Sequence, residues 1–95
     1  MNIRILVADD FAPWRHFVSS MILMKEPKWH IVCEVEDGLE AVNKAKELKP
    51  DLILLDIGLD KLNGIEAARQ IREFDPNLKI LCLSAFDSLE VGKKL

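Results

Sequence analysis

What this chain has little of narrows its function first. It holds two cysteines and two histidines in 95 residues, and none of the four is spaced as a zinc ligand set. Cys33 and Cys82 stand apart among apolar neighbours, the pattern of reduced core thiols rather than of a disulfide. His16 and His30 are unaccompanied, which suits solvated or interfacial side chains. The four glycines never form a phosphate-binding loop, and no serine sits in a nucleophile elbow. No apolar run approaches the roughly 20 residues that cross a bilayer. Met1 leads into a strand-like segment instead of a secretory leader. These absences give the expectation of a cytoplasmic chain. Lysine and arginine are scattered, and the net charge is −3. An adjacent basic pair occurs only at Lys93-Lys94, so the basic face that nucleic acid requires is lacking.

What is present reads as one small globular domain over residues 1–95, 49% hydrophobic and 31% charged. Its most informative stretch is Asp51-Leu-Ile-Leu-Leu-Asp56. Four apolar residues between polar ends suit a strand covered on both faces, as in parallel sheets. Three further strands are predicted at 3–8, 29–36 and 79–84. The second alternates Ile31, Cys33 and Val35 against Val32, Glu34 and Glu36, which suggests an edge. Between strands lie helical stripes: Trp14, Phe17, Val18, Met21 and Met24 after Pro13; Leu39, Val42, Ala45 and Leu48; Ile65, Ala68 and Ile71. Asp37 with Glu40, and Asn63 with Glu66 reaching back, have the spacing of helix starts. A partial fourth helix, weakened by Gly92, begins near Asp87 or Ser88. Strict alternation with short connections implies right-handed βαβ units, hence an α/β fold with a parallel sheet and helices on both faces.

The strands of a parallel sheet share one carboxyl-end rim, where ligands bind in open α/β folds. Strand one ends in Asp9-Asp10, strand three in Asp56 and strand four in Ser84. Asp56 alone has a plain alternative as a solvated turn aspartate. If strands one and three are neighbours, Asp9 and Asp10 lie beside Asp56, and if three and four are, so does Ser84. Carboxylates gathered in that way repel unless protons or a cation neutralise them. Hard oxygen donors suit Mg²⁺, which keeps waters and accepts phosphate oxygens. A carboxylate beside such an ion is a plausible phosphoryl acceptor.

The motifs Ile5-Leu-Val-Ala-Asp-Asp10, Asp37-Gly-Leu-Glu-Ala-Val42, Pro50-Asp-Leu-Ile-Leu-Leu-Asp-Ile57, Asn63-Gly-Ile-Glu-Ala-Ala-Arg-Gln-Ile-Arg72 and Ile80-Leu-Cys-Leu-Ser-Ala85 resemble the receiver domain of two-component response regulators. The third helix looks most like LuxR-type regulators, which carry a DNA-binding domain elsewhere in the chain. The resemblance implies a flavodoxin-like, CheY-like fold with strand order 2-1-3-4, and transcriptional output. It makes Asp56 the acceptor of a phosphoryl group from a sensor histidine kinase. Asp10 would bind Mg²⁺ directly, Asp9 through water or as an orienter, and the Gly58 backbone carbonyl would complete the protein's ligands. Ser84 would hydrogen-bond the phosphoryl oxygen, and small Ala85 would leave it room. Phe11 and Trp14 would border a kinase-docking face, with plain packing the alternative for Trp14.

Two departures from the family enter as expectations. Asp60 replaces the family's proline four residues past the acceptor, adding charge to that loop or merely facing solvent. Receivers also run on to a fifth strand, a fifth helix and a lysine that pairs with the phosphoryl group. Lys93 and Lys94 lie too close to Ser84 to stand in for it. Residues 1–95 are therefore expected to be a C-terminally truncated receiver, with strand 79–84 exposed as an edge that self-associates. The competing functions are a receiver-like interaction module that has lost phosphotransfer and a haloacid-dehalogenase-type phosphatase. The latter wants Asp-x-Asp where this chain has adjacent Asp9-Asp10. A regulatory switch, not an enzyme acting on external substrates, is the leading expectation.

Overall fold

A computed structural model describes residues 2–59 and 61–83. Asp60, Ser84, Ala85 and the expected helix beyond them lie outside the described residues. The elements follow as β1 (Ile3–Ala8), α1 (Ala12–Lys25), β2 (Trp29–Val35), α2 (Gly38–Leu48), β3 (Leu52–Asp56), α3 (Gly64–Phe74) and β4 (Lys79–Leu83). All pairings are parallel, in the order β2-β1-β3-β4. That is the expected arrangement, with β2 at one edge.

Alternation along β1 and β3 divides the core in two. Leu6, Ala8, Ile53 and Leu55 face α2 and α3, meeting Ala41, Val42, Ala45, Ala67 and Ile71. Ile5, Val7 and Leu54 face α1, meeting Val18 with Trp14 and Ile22 beside it. Ile5, Leu6, Ile53, Leu55 and Ile71 are completely buried. Each such side chain contributes about 1.5–3 kcal/mol relative to exposure, so β1 and β3 anchor the domain and their ends are held firmly.

Several sequence expectations shift by one residue. In α1 the buried positions are Arg15, Val18 and Ser19, while Phe17, Met21 and Met24 are exposed. The face is rotated by about 100°, one residue of helix. A stripe drawn through apolar residues passes over an arginine and a serine that are inside. In α2 and α3 the contact positions go to small residues, Gly38 and Ala41, Gly64 and Ala67. Leu39 and Ile65 are left outside. In β2 the register jumps, with Ile5 opposite Ile31 but Leu6 opposite Cys33. The extra residue, Val32, makes a bulge that sends Ile31 to the α1 face and Cys33 and Val35 to the other. Cys33 is half-buried and Cys82 exposed, so neither is the enclosed core thiol expected.

Both predicted caps form. The Asp37 carboxylate accepts the Glu40 N–H at 2.8 Å, and Asn63 Oδ1 accepts the Glu66 N–H at 2.9 Å. Glu66 does not reach back; its carboxylate turns to Arg69, which lowers its pKa to about 2. The β3–α3 loop is clamped at two glycines. A Cβ at Gly64 would lie 2.2 Å from the Asp56 carbonyl oxygen, and one at Gly38 would lie 1.7 Å from that of Leu62. Lys61, with φ 63°, adds an ion pair at 3.4 Å to Asp37.

Candidate functional site

Register brings the acidic residues together. Ala8 lies opposite Leu55, so Asp9 and Asp56 leave neighbouring strands side by side. Carboxylate oxygens of Asp9, Asp10 and Asp56 all lie within 4.8 Å of one another. Asp9 is buried, Asp56 half-buried and Asp10 exposed, giving a cluster rooted in the sheet and open above.

Each member of the strand pair is oriented by backbone. The Asp9 N–H donates to the Val35 carbonyl at 3.0 Å, and Asp9 Oδ1 accepts the Phe11 N–H at 2.8 Å. Asp56 Oδ1 accepts the Gly58 N–H at 3.1 Å. One oxygen of each carboxylate is thereby occupied. Burial is the main cause that raises the Asp9 pKa, opposed by the Phe11 N–H and Arg15 and reinforced by Asp10. Asp56 is likewise raised, chiefly by burial and then by Asp9 and Asp10, against the Gly58 N–H.

Clustered hard oxygen donors, two of them held protonated more readily than free carboxylates, fit a divalent cation of the Mg²⁺ class. Asp9, Asp10 and Asp56 are the side chains that would hold it.

Trp14 packs beneath the site. It borders a cleft of about 10 Å³ with Asp9, Asp56, Val18 and Leu54, and its ring lies 5.5 Å from that of Phe17. Phe11, by contrast, is exposed. Ser84 follows Leu83, the residue registered with Asp56, but is itself outside the described residues. One participant escaped the sequence reading. Arg15, buried within α1, donates from Nη1 to the Asp9 carbonyl at 2.7 Å and from Nε to Glu34 at 3.1 Å. Its only sequence signal is a charge beside the apolar stripe, five residues after the acidic pair.

The family model of the response regulator receiver domain matches residues 5–95. The chain belongs to this family. The receiver is 40% identical over 85 residues to the chemotaxis protein CheY of Thermotoga maritima, covering 90% of this chain and 69% of that protein. It is 42% identical over 86 residues to the response regulator protein VraR of Staphylococcus aureus, covering 90% of this chain and 41% of VraR. Among solved structures, the response regulator domain of Thermotoga maritima CheB aligns with TM-score 0.84 and 40% identity, over 92% of this chain and 63% of that one. The receiver thus spans less than half the length of VraR. No helix among the described residues is long and apolar enough to cross a membrane.

Proposed function

We propose that this receiver is a phospho-accepting switch. Asp56 takes a phosphoryl group from the phosphohistidine of a sensor histidine kinase, and the change is relayed to a transcriptional output. The observation that carries the reading is the convergence of Asp9, Asp10 and Asp56 at the carboxyl ends of β1 and β3. The likeness to a two-component response regulator of the LuxR family from Aurantimonas sp., at 29% identity and TM-score 0.82, supports a LuxR-type regulator whose DNA-binding function lies outside these residues.

With Oδ1 of Asp56 bound to the Gly58 N–H, Oδ2 is assigned as the nucleophile. It attacks phosphorus as the P–N bond to the donor imidazole breaks, and the leaving nitrogen is protonated from solvent. When bound, Mg²⁺ supplies positive charge to the carboxylates and to the oxygens of the transferring group. Asp10, exposed at the cluster, is assigned as its direct ligand. Asp9, with Oδ1 committed to Phe11, is assigned as orienter or water-mediated ligand. The Gly58 carbonyl is the assigned backbone ligand, and Ser84 is assigned to hydrogen-bond the phosphoryl oxygen. The protein resets by hydrolysis of the aspartyl phosphate, so it signals rather than processing an external substrate.

Incubation with acetyl phosphate and Mg²⁺, followed by intact-mass measurement, tests this. The expected result is one added phosphoryl group, absent in Asp56→Asn and absent when EDTA is present. An unchanged mass at every Mg²⁺ concentration overturns it and leaves an interaction module.

A further inference from the structure

We propose that Arg15 is the positioning residue of the acidic rim, fixing the Asp9-Asp10 backbone so that the cluster captures a divalent cation. The inference rests on the metal-binding reading of that cluster and adds a residue from another element to it.

Arg15 is 8% exposed, and a buried guanidinium is costly unless its donors are matched. They are matched in a fork: Nη1 to the Asp9 carbonyl at 2.7 Å, Nε to Glu34 Oε1 at 3.1 Å, with Glu36 Oε1 4.0 Å from Nη2. The first contact is the informative one. The Asp9 carbonyl belongs to the peptide group that joins Asp9 to Asp10, so its direction sets where the Asp10 backbone, and hence its carboxylate, begins. The same residue is pinned at its N–H by Val35 and at Oδ1 by Phe11. Arg15 supplies the hold on the remaining side, and Glu34, on edge strand β2, holds Arg15. Edge strand, first helix and acidic turn become one unit. A lysine presents a single point charge and cannot reproduce a planar fork.

Geometry and charge make opposite demands. A cation beside the site repels Mg²⁺, so deleting it on charge grounds alone strengthens binding. If Arg15 acts by positioning, deleting it weakens binding. The decisive pair is Arg15→Lys, which keeps the charge and loses the fork, and Arg15→Met, which keeps the packing volume and loses both. Mg²⁺ alone is titrated into the full chain carrying Trp29→Phe, so that fluorescence reports Trp14 alone, at a temperature where circular dichroism shows each variant folded.

We expect the midpoint of both variants to rise about tenfold, the usual lower cost of losing an outer partner of a metal ligand. The Asp10 and Phe11 amide signals in metal-free NMR spectra should move in both variants. Arg15→Met binding more tightly, or Arg15→Lys binding as the wild type does, overturns the proposal while leaving the metal site intact. A wild-type chain with no saturable Mg²⁺ response overturns the metal-binding reading itself, and the proposal with it.

Discussion

Asp9 and Asp56 hold their protons more tightly in the fold than in an open chain, and that sets a sign for pH dependence. Their folded pKa values lie above the ordinary 3.8, so the folded state binds more protons than the unfolded state between the two values. The stability they contribute is complete below 3.8 and is lost as pH rises through their folded values. Asp37 runs the other way. Its pKa is lowered, first by the Glu40 N–H it accepts and also by Lys61. Its contribution is present above 3.8 and is lost as pH falls through its folded value. Metal-free protein is therefore expected to lose stability towards neutral pH because of the acidic rim.

Asp56→Asn keeps an oxygen for the Gly58 N–H and removes the charge. Carboxylates about 4 Å apart repel by roughly 1 kcal/mol in water and roughly 4 kcal/mol near a protein surface. The substitution should then stabilise the metal-free protein at pH 7 by on the order of 1 kcal/mol, with little effect in the acid range. With Mg²⁺ at about 100 times its dissociation constant, wild type gains about 2.7 kcal/mol, and the order of stability should reverse. Urea unfolding with and without Mg²⁺ reads both signs. A variant less stable than wild type in EDTA at pH 7 would show that the rim is not strained by its own charge.

At the scale of elements, the strand pattern was legible because apolar runs in β1 and β3 stay buried on both faces, leaving charge nowhere but at their ends. The places of Asp9, Asp10 and Asp56 at strand ends followed from that, whereas their convergence needed β1 and β3 to be neighbours, which the family resemblance supplied. The faces of the helices were less legible, because hydrophobicity and burial part company at particular residues. Arg15 is inside because a carbonyl and Glu34 receive it, whereas Met24 is outside. Gly38 and Gly64 take contact positions that Leu39 and Ile65 were expected to fill, because backbone approaches too closely for a side chain. The bulge at Val32 had no local signature, since it is created by register with a strand more than twenty residues away. A prediction belongs to this scale. Alanine in place of Gly38 favours the helix by about 1 kcal/mol on propensity alone. Yet its Cβ would meet the Leu62 carbonyl oxygen at 1.7 Å, and overpacking costs about 1–3 kcal/mol or more. Sterics should win, because the opposing atoms are backbone. Gly38→Ala is expected to lower the urea midpoint and slow acetyl-phosphate labelling of Asp56 together, by displacing the loop that carries Gly58. A gain in stability would refute the clamp.

For the molecule as a whole, coverage of the sheet is uneven. α2 and α3 lie over one face, while α1 covers the other at β1 and β2. β4, with five residues, hydrogen-bonds among the described residues on one side, to β3. Leu81 is 50% exposed, and an apolar strand whose second side stays unpaired is a template for another. Two copies related by a two-fold axis bring such strands together antiparallel, a self-complementary arrangement that closes at the dimer. Charge is a weak opponent, since a net −3 is spread over the surface and screened beyond about 8 Å at physiological salt. The 95-residue chain is therefore expected to dimerise as concentration rises through the micromolar range in sedimentation velocity. Reductant is needed to keep the exposed Cys82 thiol from forming a disulfide. Leu81→Lys, the kind of charge that blunts natural edge strands, should shift the population to monomer without lowering acetyl-phosphate labelling of Asp56. A single monomeric boundary at every concentration of the unsubstituted chain would mean that this edge is not an interface.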